Sequence, residues 1–134
     1  MFTVVRQTDF TAAKGNALQA CVASLRQLQL EDVPNFIVDP EGYMTAISRW
    51  LATQKLTFVK VNLDQDGTIP SDTSPFEPQC YVILRGKSPR GDFGHVVVAQ
   101  VDATGRQFHP VMDPHPSNDN IDGPGQWAGA ILPL

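Results

Sequence analysis

The sequence predicts an α+β domain in which N-terminal helices pack on one side of an antiparallel β-sheet. Apolar residues recur at helical spacing up to Gln54 and at strand spacing beyond it. The strand-like runs are separated by short Gly, Pro, Asn and Asp clusters, which suit hairpins better than crossover helices. Helices first and strands afterwards is the order of an α+β domain. The chain has 134 residues, enough for one hydrophobic core, so residues 1–134 are expected to form a single domain.

Phe2 to Arg6 is a short apolar run with the character of a strand, and Thr8 to Gly15 is small and polar like a loop. The clearest helix follows, with Asn16 as N-cap and Leu18, Cys21, Val22, Leu25 and Leu28 as its buried stripe. Leu30 to Phe36 reads as a turn or short helix ended by Pro34. A second helix is expected from Pro40 or Glu41 to about Gln54, turning Met44, Ile47, Trp50 and Leu51 inward. Phe58, Val59, Val61 and Leu63 then mark a strand, and a Pro- and Ser-rich loop occupies Gly67 to Pro78. Further strands are expected at Tyr81–Leu84, His95–Val101, Gln107–Met112 and Ala128–Leu132.

Composition excludes several functions. Apolar residues make up 42% and charged residues 18%, with a formal charge of −4. A nucleic-acid partner needs clustered Lys and Arg, which are absent. No run has the length of a membrane span, and Met1 to Gln7 has neither the charged start nor the apolar stretch of a signal peptide. A cytoplasmic location is therefore expected, with Cys21 and Cys80 both as thiols.

Chemistry concentrates at three places. His95 opens the run His-Val-Val-Val-Ala-Gln-Val, and Asp113 closes Gln-Phe-His-Pro-Val-Met-Asp. If Ala103, Thr104 and Gly105 form the intervening hairpin loop, with Gly105 left-handed, Asp102 and Arg106 close it and His95 lies directly opposite Asp113. Opposed residues share a face with Cβ atoms about 5 Å apart, so the carboxylate can accept a hydrogen bond from the imidazole and orient it as a general base. Pro110 cannot donate to a ladder and points to an edge or a bulge, which would shift that register. The same spacing also suits a plain strand start at His95 and an Asp-Pro turn at Asp113.

The third place is the helix entrance Gly15-Asn16-Ala17-Leu18-Gln19-Ala20-Cys21. A thiol in a first helical turn is biased toward thiolate by unpaired N–H groups and the positive dipole end, but the residue there is Ala17. Cys21 is one turn further in, where the dipole has faded and Val22 and Leu25 would bury the sulfur, so it reads as a structural cysteine.

With the Gly94-His95-Val96-Val97-Val98 run and the Asp113-Pro114 step, this entrance resembles the three signatures of papain-like cysteine peptidases, in particular the small bacterial branch related to bacteriocin leader-processing peptidases. The resemblance implies a papain-like α+β fold and a peptidase acting on an amide or isopeptide bond of a peptide or protein, without a cofactor. It assigns the nucleophile position to Ala17, the base to His95 and its orienting acid to Asp113. Where the family often carries an oxyanion-hole glutamine this chain has Thr11, and Gln7 could serve instead if Thr8 to Lys14 loops out. The alanine at position 17 is either an engineered replacement of the nucleophile or natural in a peptide-binding pseudoenzyme; a live thiol enzyme using Cys21 is a third reading.

Other groupings carry less. His109, Asp113 and His115 could be drawn together around a metal, but no further ligand is indicated. Asp64-Gln65-Asp66-Gly67 starts like a calcium loop, yet Pro75 stands where the bidentate glutamate belongs, so it is read as a turn. Arg90-Gly91-Asp92 reads as a loop ahead of His95, and Trp127 as a residue able to line a cleft.

Overall fold

A computed structural model describes residues 1–134. Helix α1 (Ala17–Arg26) and helix α2 (Tyr43–Thr53) precede five strands, β1 (Leu56–Asn62), β2 (Tyr81–Lys87), β3 (Gly94–Val101), β4 (Phe108–Met112) and β5 (Asp122–Pro133). The strands form one antiparallel sheet in the order β1-β5-β2-β3-β4. The α+β arrangement thus agrees with the order of periods in the sequence.

Both helices lie on one face of the sheet. Leu18, Cys21 and Val22 of α1 and Ile47 and Leu51 of α2 share a core with Phe58, Ile83, Val96, Val98, Met112 and Trp127. The opposite face is not left to solvent. Ile69 and Phe76, from the long connection between β1 and β2, cover Val82, Leu84, Val97, Ala99 and Val101. This explains why β3 reads as an unbroken apolar run: both of its faces are buried.

Several boundaries differ from the sequence expectation. Phe2 to Arg6 is not a strand; its backbone bridges other elements, with the Thr3 N–H on the Ser24 carbonyl and the Gln7 N–H on the Pro114 carbonyl. Helix α1 stops before Leu28 because Gln27 turns left-handed (φ 56°), and the N–H groups of Gln27 and Leu28 close onto the carbonyls of Ser24 and Ala23. Leu28 still reaches the core from beyond the helix. Helix α2 starts at Tyr43 rather than at Pro40 or Glu41, since Gly42 has φ 92° and cannot continue a right-handed helix backwards. Strand β5 begins at Asp122, well before Ala128, and takes in Gly123, Pro124 and Gly125; Gly129 within it lies beneath the Phe58 ring, where no side chain would fit.

The β3–β4 hairpin, which positions the site, also departs from the expected register. Gly105 is left-handed as expected (φ 78°), but Asp102 bonds to Gln107 rather than closing on Arg106, and Val101 pairs with Phe108. Ala99 then pairs with Pro110 and Val98 with Met112, leaving Val111 as an extra residue in a bulge. The turn shifts the register by one residue and the bulge by another. Asp113 is therefore not opposite His95 in the ladder. Two single-residue shifts restore the original alternation, so the side chains still converge.

Candidate functional site

At the His95 end of β3 the imidazole Nε2 lies 2.7 Å from Asp113 Oδ1, and both side chains are almost completely buried. A carboxylate only accepts, so Nε2 carries the proton and Nδ1 keeps the lone pair. The Asp113 carboxylate is itself well held: Oδ1 also accepts from the His115 N–H at 2.9 Å, and Oδ2 from the Asn120 N–H at 2.8 Å. Burial raises the Asp113 carboxyl, but the bonds from His95, His115 and Asn120 outweigh it and hold the group below its ordinary range. Asp113 is thus an ionised acceptor that fixes the ring of His95.

The segment carrying Asp113 is tied down from behind. Arg6 donates through Nη1 to the carbonyl of Asp113 and to Asn118 Oδ1, with a longer bond to the His115 carbonyl. Nothing in the local pattern around Arg6 signals this role, because its partners are more than a hundred residues away in sequence.

Ala17 is the first residue of α1 and lines a cavity of about 490 Å³ together with Gln7, His95, His115 and Trp127. Asn16 does precede the helix, but its side chain makes no capping bond. Its Oδ1 instead accepts from the N–H groups of Thr8 and Asp9, at 2.8 and 2.9 Å, and its Nδ2 donates to Thr8 Oγ1. The first α1 amide to pair is that of Ala20, onto the Asn16 carbonyl. The N–H groups at the helix start are left without a side-chain acceptor, and the positive end of the helix dipole faces the cavity.

The clasp of Asn16 on Thr8 and Asp9 lets Thr11 to Lys14 loop outward while Gln7 folds back into the cavity wall. Gln7 is 7% exposed. Its Nε2 donates to the Asp9 carbonyl at 2.9 Å, which uses one of its two hydrogens, and its Oε1 is buried without a partner. Thr11 also borders the cavity, though it is itself exposed.

Cys21 is completely buried in the helix-side core and does not line the cavity. Burial first, and the negative charge of Asp113 second, push its thiol well above the ordinary value. A thiol so placed is protonated and out of reach of a substrate. Cys80 is a half-buried thiol on the other face of the sheet.

His115, which sequence reasoning considered only as a metal ligand, lies beside the site with its ring centroid 6.4 Å from that of His95. Its Nδ1 accepts from the Ser117 N–H, which leaves Nε2 as the protonated nitrogen of the neutral ring. Burial and then the charge of Arg90 hold its pKa below the ordinary value. His109 is on the exposed part of β4, and no group of three or more His, Cys, Asp and Glu side chains is arranged to hold a metal ion. Asp64 closes its own turn, accepting from the Asp66 and Thr68 N–H groups. No helix is long and apolar enough to cross a membrane.

No protein-family model, no curated protein and no solved structure matches the chain. The chemistry of the site is that of a buried, carboxylate-oriented imidazole and an uncapped helix start sharing one cavity.

Proposed function

We propose that this chain is a papain-like cysteine peptidase, or a closely related acyl-transfer enzyme, whose nucleophile position is occupied by Ala17, so that it holds its substrate without turning it over. The observation that carries the reading is the buried His95, held by Asp113, in the cavity wall that it shares with Ala17. The chain order of helix start, histidine strand and aspartate, with both helices on one sheet face, supports the papain-like assignment.

With cysteine at position 17, His95 Nδ1 takes the thiol proton and the sulfur attacks the carbonyl carbon, forming the C–S bond while the carbonyl electrons move onto oxygen. The unpaired N–H groups of the first α1 turn, with the remaining Gln7 Nε2 hydrogen as a further donor, are suited to that oxyanion. Collapse breaks the C–N bond, and the amine leaves with the proton from His95. Water then attacks the thioester with His95 again as base, the C–S bond breaks, and the proton held on His95 returns to the sulfur as the acid leaves. Asp113 keeps the ring in the right tautomer and stabilises the imidazolium. With Ala17 none of these bonds can form, and binding is what remains.

The test is Ala17→Cys treated with an alkylating active-site probe and read by intact mass. One adduct at position 17 is expected, forming at least about a hundredfold more slowly once His95→Ala is added. Absence of labelling at position 17 in a variant whose circular dichroism matches the parent would overturn the reading.

A further inference from the structure

The cavity that holds His95 is positively charged in a negatively charged protein. Lys60, Arg85 and Arg90 line it and no Asp or Glu does, although the chain carries 14 acidic residues and a formal charge of −4. None of the three cations has a carboxylate partner: the ion pairs of the molecule join Arg49 to Asp39 and Glu41, Lys87 to Asp122 and His95 to Asp113. Each is held by neutral groups instead.

Lys60 donates to Tyr43 Oη at 3.1 Å, with Nζ 5.1 Å from the centroid of the Trp127 ring. Arg85 reaches Gln126 Oε1, its guanidinium lies where a side chain on Gly94 would stand, and it lines the same cavity as His95. Arg90 bonds Ser117 Oγ at 3.2 Å, next to His115. Lys60 and Arg85 come from β1 and β2, on either side of β5, and face the helix side with Trp127 between them. Lys60 and Arg85 are partly buried and Arg90 is exposed; held by neutral acceptors, all three keep their charge available, and the helix start of α1 adds partial positive charge from across the cavity.

We infer that the cavity selects carboxylate-bearing peptides, with Arg85 and Lys60 receiving the carboxylate while the acyl group lies against His95. The inference rests on the peptidase reading for the identity of the acyl group, but the charge recognition is independent of turnover. An amide side chain of the same shape would occupy the place without the charge-assisted bonds, which are roughly twice as strong as neutral ones. The carboxylate can come from a Glu or Asp side chain or from a peptide C-terminus.

The test uses the chain as it stands, with Ala17, and hexapeptide pools carrying an uncharged fluorophore, with Glu or Gln fixed at each position in turn and the C-terminus either free or amidated. Binding is followed by fluorescence anisotropy. Glu pools are expected to bind about tenfold more tightly than Gln pools at one or more positions, and the contrast shrinks as salt is raised. A preference carried by the free C-terminus alone identifies the terminal carboxylate as the group received. Arg85→Gln and Lys60→Gln, each checked by circular dichroism, are expected to reduce the contrast severalfold. Equal binding of charged and neutral pools would overturn the inference, and so would a contrast that survives in both variants, since the acid would then bind elsewhere. Alkylation of Ala17→Cys decides the peptidase reading separately, so failure of either leaves the other standing.

Discussion

His95 and Asp113 make a 2.7 Å hydrogen bond although their strands are no longer paired where they meet. The last ladder pair between β3 and β4 joins Val98 to Met112, and the bulge at Val111 brings Asp113 diagonally onto the imidazole. Three donors converge on this carboxylate, so its loss should be felt in stability as well as in chemistry.

Asp113→Ala leaves the His95 Nε2 and the N–H groups of His115 and Asn120 without an acceptor, and is expected to cost about 2–4 kcal/mol. Asp113→Asn keeps the shape and one acceptor oxygen and should cost about half as much. Urea denaturation of the two variants against the parent measures both. An alanine variant as stable as the parent would mean that the three bonds contribute nothing net.

The same carboxylate sets a pH dependence. Its folded pKa lies below the ordinary value of 3.8, so as the pH falls the unfolded chain takes up the proton first. The stabilisation is complete above about pH 5 and is lost as the pH drops from there through the folded value. The stability gap between parent and Asp113→Asn should therefore narrow progressively in acid, and a gap that stays constant down to about pH 3 would contradict the assignment.

Asn16→Ala removes the acceptor for the Thr8 and Asp9 amides and is expected to cost about 1–3 kcal/mol. Because those amides fold Gln7 back toward the cavity, their hydrogen exchange should accelerate in the variant while the core of β3 stays protected. Unchanged exchange at Thr8 and Asp9 would show that the loop is held by something other than Asn16.

Arg6 holds the Asp113 segment through two backbone carbonyls and Asn118. In the Ala17→Cys background, Arg6→Ala is expected to slow alkylation at position 17 severalfold by loosening the orientation of His95, with partial recovery in Arg6→Lys. A stability loss of about 1 kcal/mol with unchanged alkylation would reduce Arg6 to a structural tie.

Thiol reagents should separate the two cysteines of the native chain. Cys80 is half-buried, with its thiol raised by burial and then by Glu77, and should react slowly; Cys21 should not react until the protein unfolds. Modification of Cys21 at the rate of Cys80 would indicate that α1 opens in the native state.

The sequence by itself determined the α+β class, the two helices and the approximate places of all five strands, because hydrophobic periodicity is a local property. It also marked Ala17, His95 and Asp113 and the left-handed turn at Gly105. What it could not determine were relationships between segments far apart in the chain. Pro110 announced a bulge or an edge, and β4 has both, but only the folded hairpin shows two one-residue shifts in the same sense, which keep the face but replace the expected direct opposition. Asn16 has the composition of an N-cap, yet Thr8 and Asp9 compete for its oxygen and win it. The return of Gln7 to the cavity, the hold of Arg6 on Asp113 and the gathering of Lys60, Arg85 and Arg90 around one acid-free cavity depend on where separate elements dock. Side-chain partners over such distances are chosen by packing, which no short-range pattern encodes.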